Sequence, residues 1–265
     1  MLPHRSRPAF TLIELMVSIG IIGVLISIIL PTLSGARLAA SRVQAMSNAR
    51  STGQTFQTYA NDNGAYPFLA PGQAGPGVEH PPFGDAVAVR WWPEGVVVAV
   101  SPHWLLAGLW PALVAPIAPW PEHYATWLSP GRDTELPAMP FEDPNSPTPE
   151  QQISYRYSNS FLAKPSLWRE GSHPGPQHFA AIKPSEVAYP SNKAMLWDGE
   201  VAYIRKAPPI VGGHYAVRTA VLFADGHADM HDPTTASAPG VNPMKSHEET
   251  MTLHDTAEGV LGRDF

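Results

Sequence analysis

The stretch "RSRPAFTLIELMVSIGIIGVLISIILP", residues 5–31, decides how the rest of the chain is read. From Phe10 to Leu30 it carries a single charge, Glu14. A helix of that length, at about 1.5 Å per residue, crosses a hydrocarbon core of roughly 30 Å. Glu14 does not fit a plain span, because an acid at the centre of one costs about 2.5–3.5 kcal/mol even on a lenient scale. A buried carboxylate needs a partner.

Three readings of this segment follow from the residues alone. A cleaved secretory signal would have a shorter apolar region and a small-residue cleavage site, and this run is longer and contains an acid. A plain signal anchor explains the length but not Glu14. A glutamate near the end of a span can also reach the headgroups. Arg5 and Arg7 precede the run and Arg37 and Arg42 follow it, so positive charge on both sides leaves orientation undecided.

The segment also resembles the N-terminus of type IV pilins and type II secretion pseudopilins. The features are a short basic leader, a small residue before Phe10, then Thr11, Leu12, Ile13 and Glu14, an unbroken apolar helix, and Pro31 at its far end. The resemblance implies cleavage between Ala9 and Phe10 by a prepilin peptidase and N-methylation of Phe10. The family normally has Gly before the cut, where this chain has Ala9. Cleavage would place Glu14 fifth in the mature chain and create an α-amine on Phe10. That amine, on a neighbouring subunit, is the expected partner of Glu14, which would set helix register during assembly.

The helical pattern runs on through "SGARLAASRVQAMSNARSTGQTFQTYANDNGAYP", with Pro31 bending the helix rather than ending it. Ala39, Val43, Met46, Gly53, Phe56 and Ala60 form the expected core face. Asn61 to Gly64 is the stop, with Gly64 suited to a left-handed cap. The expected organisation is a leader (1–9), a transmembrane or filament-core helix (10–30), its amphipathic continuation (31–61) and a soluble head (62–265). The head divides into a Pro/Trp-rich insertion (66–150), a β-rich part (151–232) and a polar tail (233–265) with Val260 and Leu261 as its apolar anchor.

The 265 residues are 44% hydrophobic and 15% charged, which suits one sizeable core. The formal charge of −6 becomes −8 once Arg5 and Arg7 leave with the leader, and there is no basic run, so no nucleic-acid partner is expected. The absence of cysteine excludes disulfides and thiolate-ligated zinc. Thirty prolines require a body rich in loops. They also argue against a second span over residues 96–120, where Ser101-Pro102 opens a short buried helix to about Leu109. Residues 129–150 read as an exposed loop. The tryptophans of the insertion, Trp91, Trp92, Trp104, Trp110, Trp120 and Trp127, suit core filling, with a glycan or partner surface as the alternative.

Beyond Gln151 the pattern is strand-like, and Asp225-Gly226 between two apolar runs predicts a hairpin through a type I′ turn. His214, Asp225, His227, Asp229 and His231 form the one cluster with metal-ligating chemistry. Alternation on a strand could place a structural calcium or another metal there, or simply make a solvated face. "GGHYAVRTAVLFADGHADMHD" resembles the C-terminal His-X9-Asp-Gly signature of prepilin-type proteins abundant in planctomycete-like bacteria, although His214 and Asp225 are one residue further apart. On that resemblance Asp225 and Gly226 are turn formers. Nucleophile-elbow, phosphate-loop, zincin and dinucleotide motifs are all missing.

The expected fold is α+β: a long N-terminal helix on a small antiparallel sheet, with a loop-rich insertion. The expected function is structural, as a pilin-like filament subunit without catalytic residues or an obligatory cofactor. The expected partners are other pilin-like subunits, prepilin peptidase, an inner-membrane assembly platform and the bilayer. The leader would be cytoplasmic and the head periplasmic. The alternatives are an anchored periplasmic enzyme using a metal on the His227, Asp229 and His231 face, and an anchored binding module using the Trp-rich insertion.

Overall fold

A computed structural model describes residues 11–68, 87–91, 96–100, 110–135, 153–172, 178, 180–241 and 250–265. It confirms an α+β chain. The first element, α1, is one helix over Leu12–Asn63 that continues through Pro31. It stops at Gly64, whose φ of 74° is the left-handed conformation that closes a helix. Residues 1–40 and 41–265 form two compact units.

Within the second unit, α1 buries Ala45, Ala49, Thr52, Gly53, Phe56 and Ala60. Gly53, Phe56 and Ala60 of the expected face are buried and Met46 packs half-buried against the core, but nearer the N-terminus the stripe runs through Ala45 and Ala49 rather than Ala39 and Val43. Val43 stays 62% exposed, and Ala39 is exposed as well. Three- and four-residue spacing fits two adjacent stripes of one helix, and small alanines at 45 and 49 let the close approach occur on this one.

The sheet has strand order β3-β4-β7-β8 and is antiparallel throughout: β3 is Tyr155–Tyr157, β4 Ala194–Asp198, β7 Thr219–Phe223 and β8 Ala228–His231. Every residue of β4 and β7 is buried, which requires cover on both faces. On β7, Ala220 and Leu222 join the core shared with α1, while Val221 and Phe223 face a second cluster with Ala194, Trp197 and Leu253. On β4 this alternation breaks, because Met195 and Leu196 both join the first core. A register shift between Ala194 and Leu196 supplies the extra residue.

The cover of the second face comes from the tail, through Leu253 and Phe265. Val260 is buried as the expected anchor, in the first core, but the rest of the tail is not simply a polar surface segment. Leu253, Val260, Asp255, Thr256 and Asp264 are all buried. Leu261 is only half-buried. Polar side chains stay inside here because each has partners, so a hydropathy reading of the tail misses its packing.

Asp225-Gly226 does make the β7–β8 hairpin, but the turn is not type I′. That turn needs positive φ at both central residues. Gly226 has φ 90°, whereas Asp225 is not among the positive-φ residues. Gly226 N–H donates to Phe223 O (2.9 Å) and Phe223 N–H to His227 O (2.9 Å), a three-residue loop ending in a left-handed glycine. The Asp225 carboxylate accepts from His227 N–H (3.1 Å) and so fixes the loop locally.

The insertion contains more structure than a loop. Its backbone forms an antiparallel pair, β1 (Val87–Trp91) and β2 (Val96–Val100), followed by α2 (Trp110–Val114) and α3 (Trp120–His123). Trp110 and Trp127 are fully buried. They stack edge-on at 5.2 Å, and Trp110 meets Phe56 of α1 at 5.3 Å. These two tryptophans fill the core. The expected helix over 101–109 and the side chains of Trp91, Trp92, Trp104 and Trp120 lie outside the described residues.

Residues 129–135 only partly match the expected exposed loop, since Ser129 and Pro130 are buried. The Ser129 hydroxyl donates to Asp198 Oδ2 at 2.7 Å and accepts from Ala202 N–H at 2.8 Å. Asp198 Oδ1 accepts from the Glu200 and Val201 N–H groups at 3.1 and 3.0 Å. This carboxylate ties the insertion to the end of β4. Burial pushes its pKa up to about 6, against the opposing pull of those hydrogen bonds. A short hairpin, β5 (Ile210–Val211) with β6 (His214–Tyr215), completes the described head.

Candidate assembly site on the N-terminal helix

Glu14 sits in the first turn of α1 and is exposed. Its Oε2 accepts from Thr11 N–H at 2.9 Å and from the Thr11 hydroxyl at 2.7 Å. Thr11 Oγ1 in turn accepts from Glu14 N–H at 3.2 Å. This is a reciprocal capping box, which satisfies donors that the first turn of a helix leaves unpaired. A carboxylate at this end also lies favourably in the helix dipole. Thr-x-x-Glu before an apolar run is the sequence signal for it, and the reading of Glu14 as an acid awaiting an outside partner passed over it. Within the single chain, Glu14 already has a local role.

The rest of the segment is built for an apolar surround. Leu12, Ile13, Leu15, Met16, Val17, Ile19, Ile21, Ile22, Val24, Leu25, Ile26, Ile28, Ile29 and Leu30 are each at least 48% exposed. The segment is long and apolar enough to cross a membrane. Its hydroxyls turn back onto the helix: Ser18 donates to Glu14 O (2.8 Å), Ser27 to Val24 O (2.7 Å), Thr32 to Ile29 O (2.8 Å) and Ser34 to Pro31 O (2.8 Å). No hydroxyl in this set therefore carries an unmet donor into hydrocarbon. Pro31 has no N–H for the carbonyl of Ser27, yet the helix remains continuous there. Ala9 and Phe10, the expected cleavage and methylation positions, lie outside the described residues.

The histidine-acid set does not converge. His227 Nδ1 pairs with Asp225 Oδ1 at 2.6 Å, and the ring stacks on Phe223 at 4.3 Å. His231 Nε2 lies 3.7 Å from Asp229 Oδ2 and its ring packs on Phe265 at 4.4 Å. His231 also lies edge-on to Phe223 at 5.3 Å, so the two histidines flank that ring. His214 is buried elsewhere, with Nε2 2.8 Å from Thr252 O and its ring edge-on to Trp197. Among the described residues no group of three or more His, Asp or Glu is placed to hold a metal. Asp225 and Gly226 form the turn, as the signature implied.

A family described as the prokaryotic N-terminal methylation motif matches residues 4–30. The chain is 42% identical over 64 residues to the type II secretion system core protein G of Pectobacterium carotovorum subsp. carotovorum. That match covers 24% of this chain and 40% of the relative's length. No solved structure matches. The N-terminal segment is thus similar to a prokaryotic N-terminal methylation motif and to the corresponding part of a type II secretion core protein, and the match spans less than half of that relative.

Proposed function

We propose that the chain is a structural, non-enzymatic subunit of a type II secretion or type IV pilus-like filament. It would be held in the inner membrane by Phe10–Leu30 until assembly. The observation that carries this reading is an α1 segment whose apolar side chains are uniformly exposed and whose only acid stands in its first turn. Such a helix is unsuited to water and suited both to lipid and to a bundle of like helices.

Glu14 has a defined part in this scheme. Both Thr11 donors converge on Oε2, which leaves Oε1 for the α-amine of a neighbouring Phe10. A charged amine makes a stronger bond than a hydroxyl or neutral amide, and it does so best away from water. Capping would hold Glu14 oriented in the single subunit, and docking would add the second partner. The membrane, prepilin peptidase and an assembly platform are the implied partners.

The test is mass spectrometry of the protein extracted from membranes of its native host. A new terminus at Phe10, carrying a methyl group, is expected. A chain that retains Met1–Ala9 in assembled material overturns the proposal.

A further inference from the structure

Lys193, just before β4, is fully buried. Its Nζ lies 2.9 Å from Asp264 Oδ2 and also donates to Thr256 Oγ1. Asp264 Oδ2 accepts in addition from Ala194 N–H at 2.9 Å, and Oδ1 accepts from the Thr256 hydroxyl at 2.5 Å. The backbone is tied around the same point. Asp264 and Phe265 N–H donate to Asn192 O at 2.9 and 3.3 Å, and Ser237 N–H donates to Asp264 O at 2.7 Å. Below it lie Ala194, Trp197, Val221 and Phe223, with Leu253 and Phe265 of the tail packed against them.

We propose that residues 250–265 form a strap over the second face of the sheet, and that the Lys193–Asp264 pair is its pin. The pair is a device for all-or-none closure rather than a source of net stability. Against a well-packed apolar replacement a buried ion pair gains little, but one partner left alone inside is strongly unfavourable. Burial already disfavours the ammonium form of Lys193, and Asp264 is what opposes that pull. A lysine deprived of Asp264 has to find water, and it can reach water only if the strap lifts. Lifting would uncover the apolar face formed by Trp197, Val221 and Phe223. The strap is therefore a local opening unit whose position is set by one pair of charges.

Amide hydrogen exchange on the full-length protein tests this. In Asp264→Asn the amides of Ser237, Asp264 and Phe265 should exchange about a hundredfold faster, while those of the β3–β4 pair change by less than about tenfold. The double variant Lys193→Met with Asp264→Leu should return the strap amides to within about tenfold of the original. Unchanged strap amides in Asp264→Asn would overturn the proposal, as would strap and β3–β4 amides accelerating together. A double variant as open as the single one would also overturn it. If Asp264→Asn does not fold, Lys193→Met supplies the same readout, with faster exchange expected at Ser237, Asp264 and Phe265 and not in the β3–β4 pair.

Discussion

A methyl group placed on Gly53 would lie 2.7 Å from Cδ1 of Leu222. This glycine on α1 and this leucine on β7 set how closely helix and sheet approach. Gly53→Ala gains about 1 kcal/mol of helix propensity but overpacks a filled core, a cost of about 1–3 kcal/mol. A net loss of up to about 2 kcal/mol is expected in denaturant unfolding. In a Leu222→Ala background the same change should become neutral or stabilising, because the clashing atoms are gone. An equal loss in both backgrounds would show that Leu222 is not what Gly53 accommodates.

Asp198 makes the stability of the head depend on pH with a definite sign. Its pKa is raised in the folded protein to about 6 from an ordinary 3.8. Between those values the folded state holds more protons than the unfolded one. The stabilising contribution is thus complete below about pH 4 and lost as pH rises through about 6. The shift corresponds to roughly 3 kcal/mol. The stability difference between the original protein and Asp198→Asn, measured from pH 4 to 8, should follow that curve. A pH-independent difference would show that burial does not hold the proton on Asp198.

Glu14→Ala should leave membrane insertion intact, since it removes the span's only charge, and should sharply reduce incorporation into filaments. Thr11→Val separates the two roles of Glu14. It removes the hydroxyl of the capping box, at about 1 kcal/mol of local helix stability, but leaves the carboxylate for a neighbour. Incorporation should therefore fall far less in Thr11→Val than in Glu14→Ala. Equal losses would locate the function of Glu14 in capping alone.

On the proposed reading, Ala9 stands where prepilins normally have Gly. Ala9→Gly should speed removal of the leader, read as the ratio of cleaved to uncleaved chain in a short pulse-chase. Ala9→Leu should block it. If all three process at one rate, position 9 is not what the peptidase reads.

Periodicity made the long helix, its stop at Gly64 and the β7–β8 hairpin legible, because these depend on local chemistry within a few residues. The Asp225-Gly226 turn was placed correctly but assigned the wrong geometry, since a left-handed glycine serves more than one hairpin class. The strap could not be read from hydropathy. Asp255, Thr256 and Asp264 look like surface residues until partners such as Lys193, far away in sequence, bring them inside. The α1 face was legible at Gly53, Phe56 and Ala60 but not further back, because Ala45 and Ala49 contribute little apolar signal and yet are the residues that pack there. At Glu14 the capping box is legible in four consecutive residues, Thr11 to Glu14, because both partners lie within one turn.

The sheet has helix on one side and tail on the other, and this limits how the head can speak to its surroundings. Among the described residues of 41–265, the large apolar side chains that stand exposed are Val43, Tyr189, Ile210 and Val211, and the others are buried or half-buried. Those described residues offer no broad apolar patch to another head. The N-terminal helix can stick to any helix of similar character, so it offers cohesion with little discrimination. In the proposed filament, the described part of the head would leave the choice of neighbour to its rim: strand edges, polar loops and the few apolar points standing among them. On the proposed reading, cohesion and recognition would be written in different parts of one polypeptide, and each could change without rewriting the other.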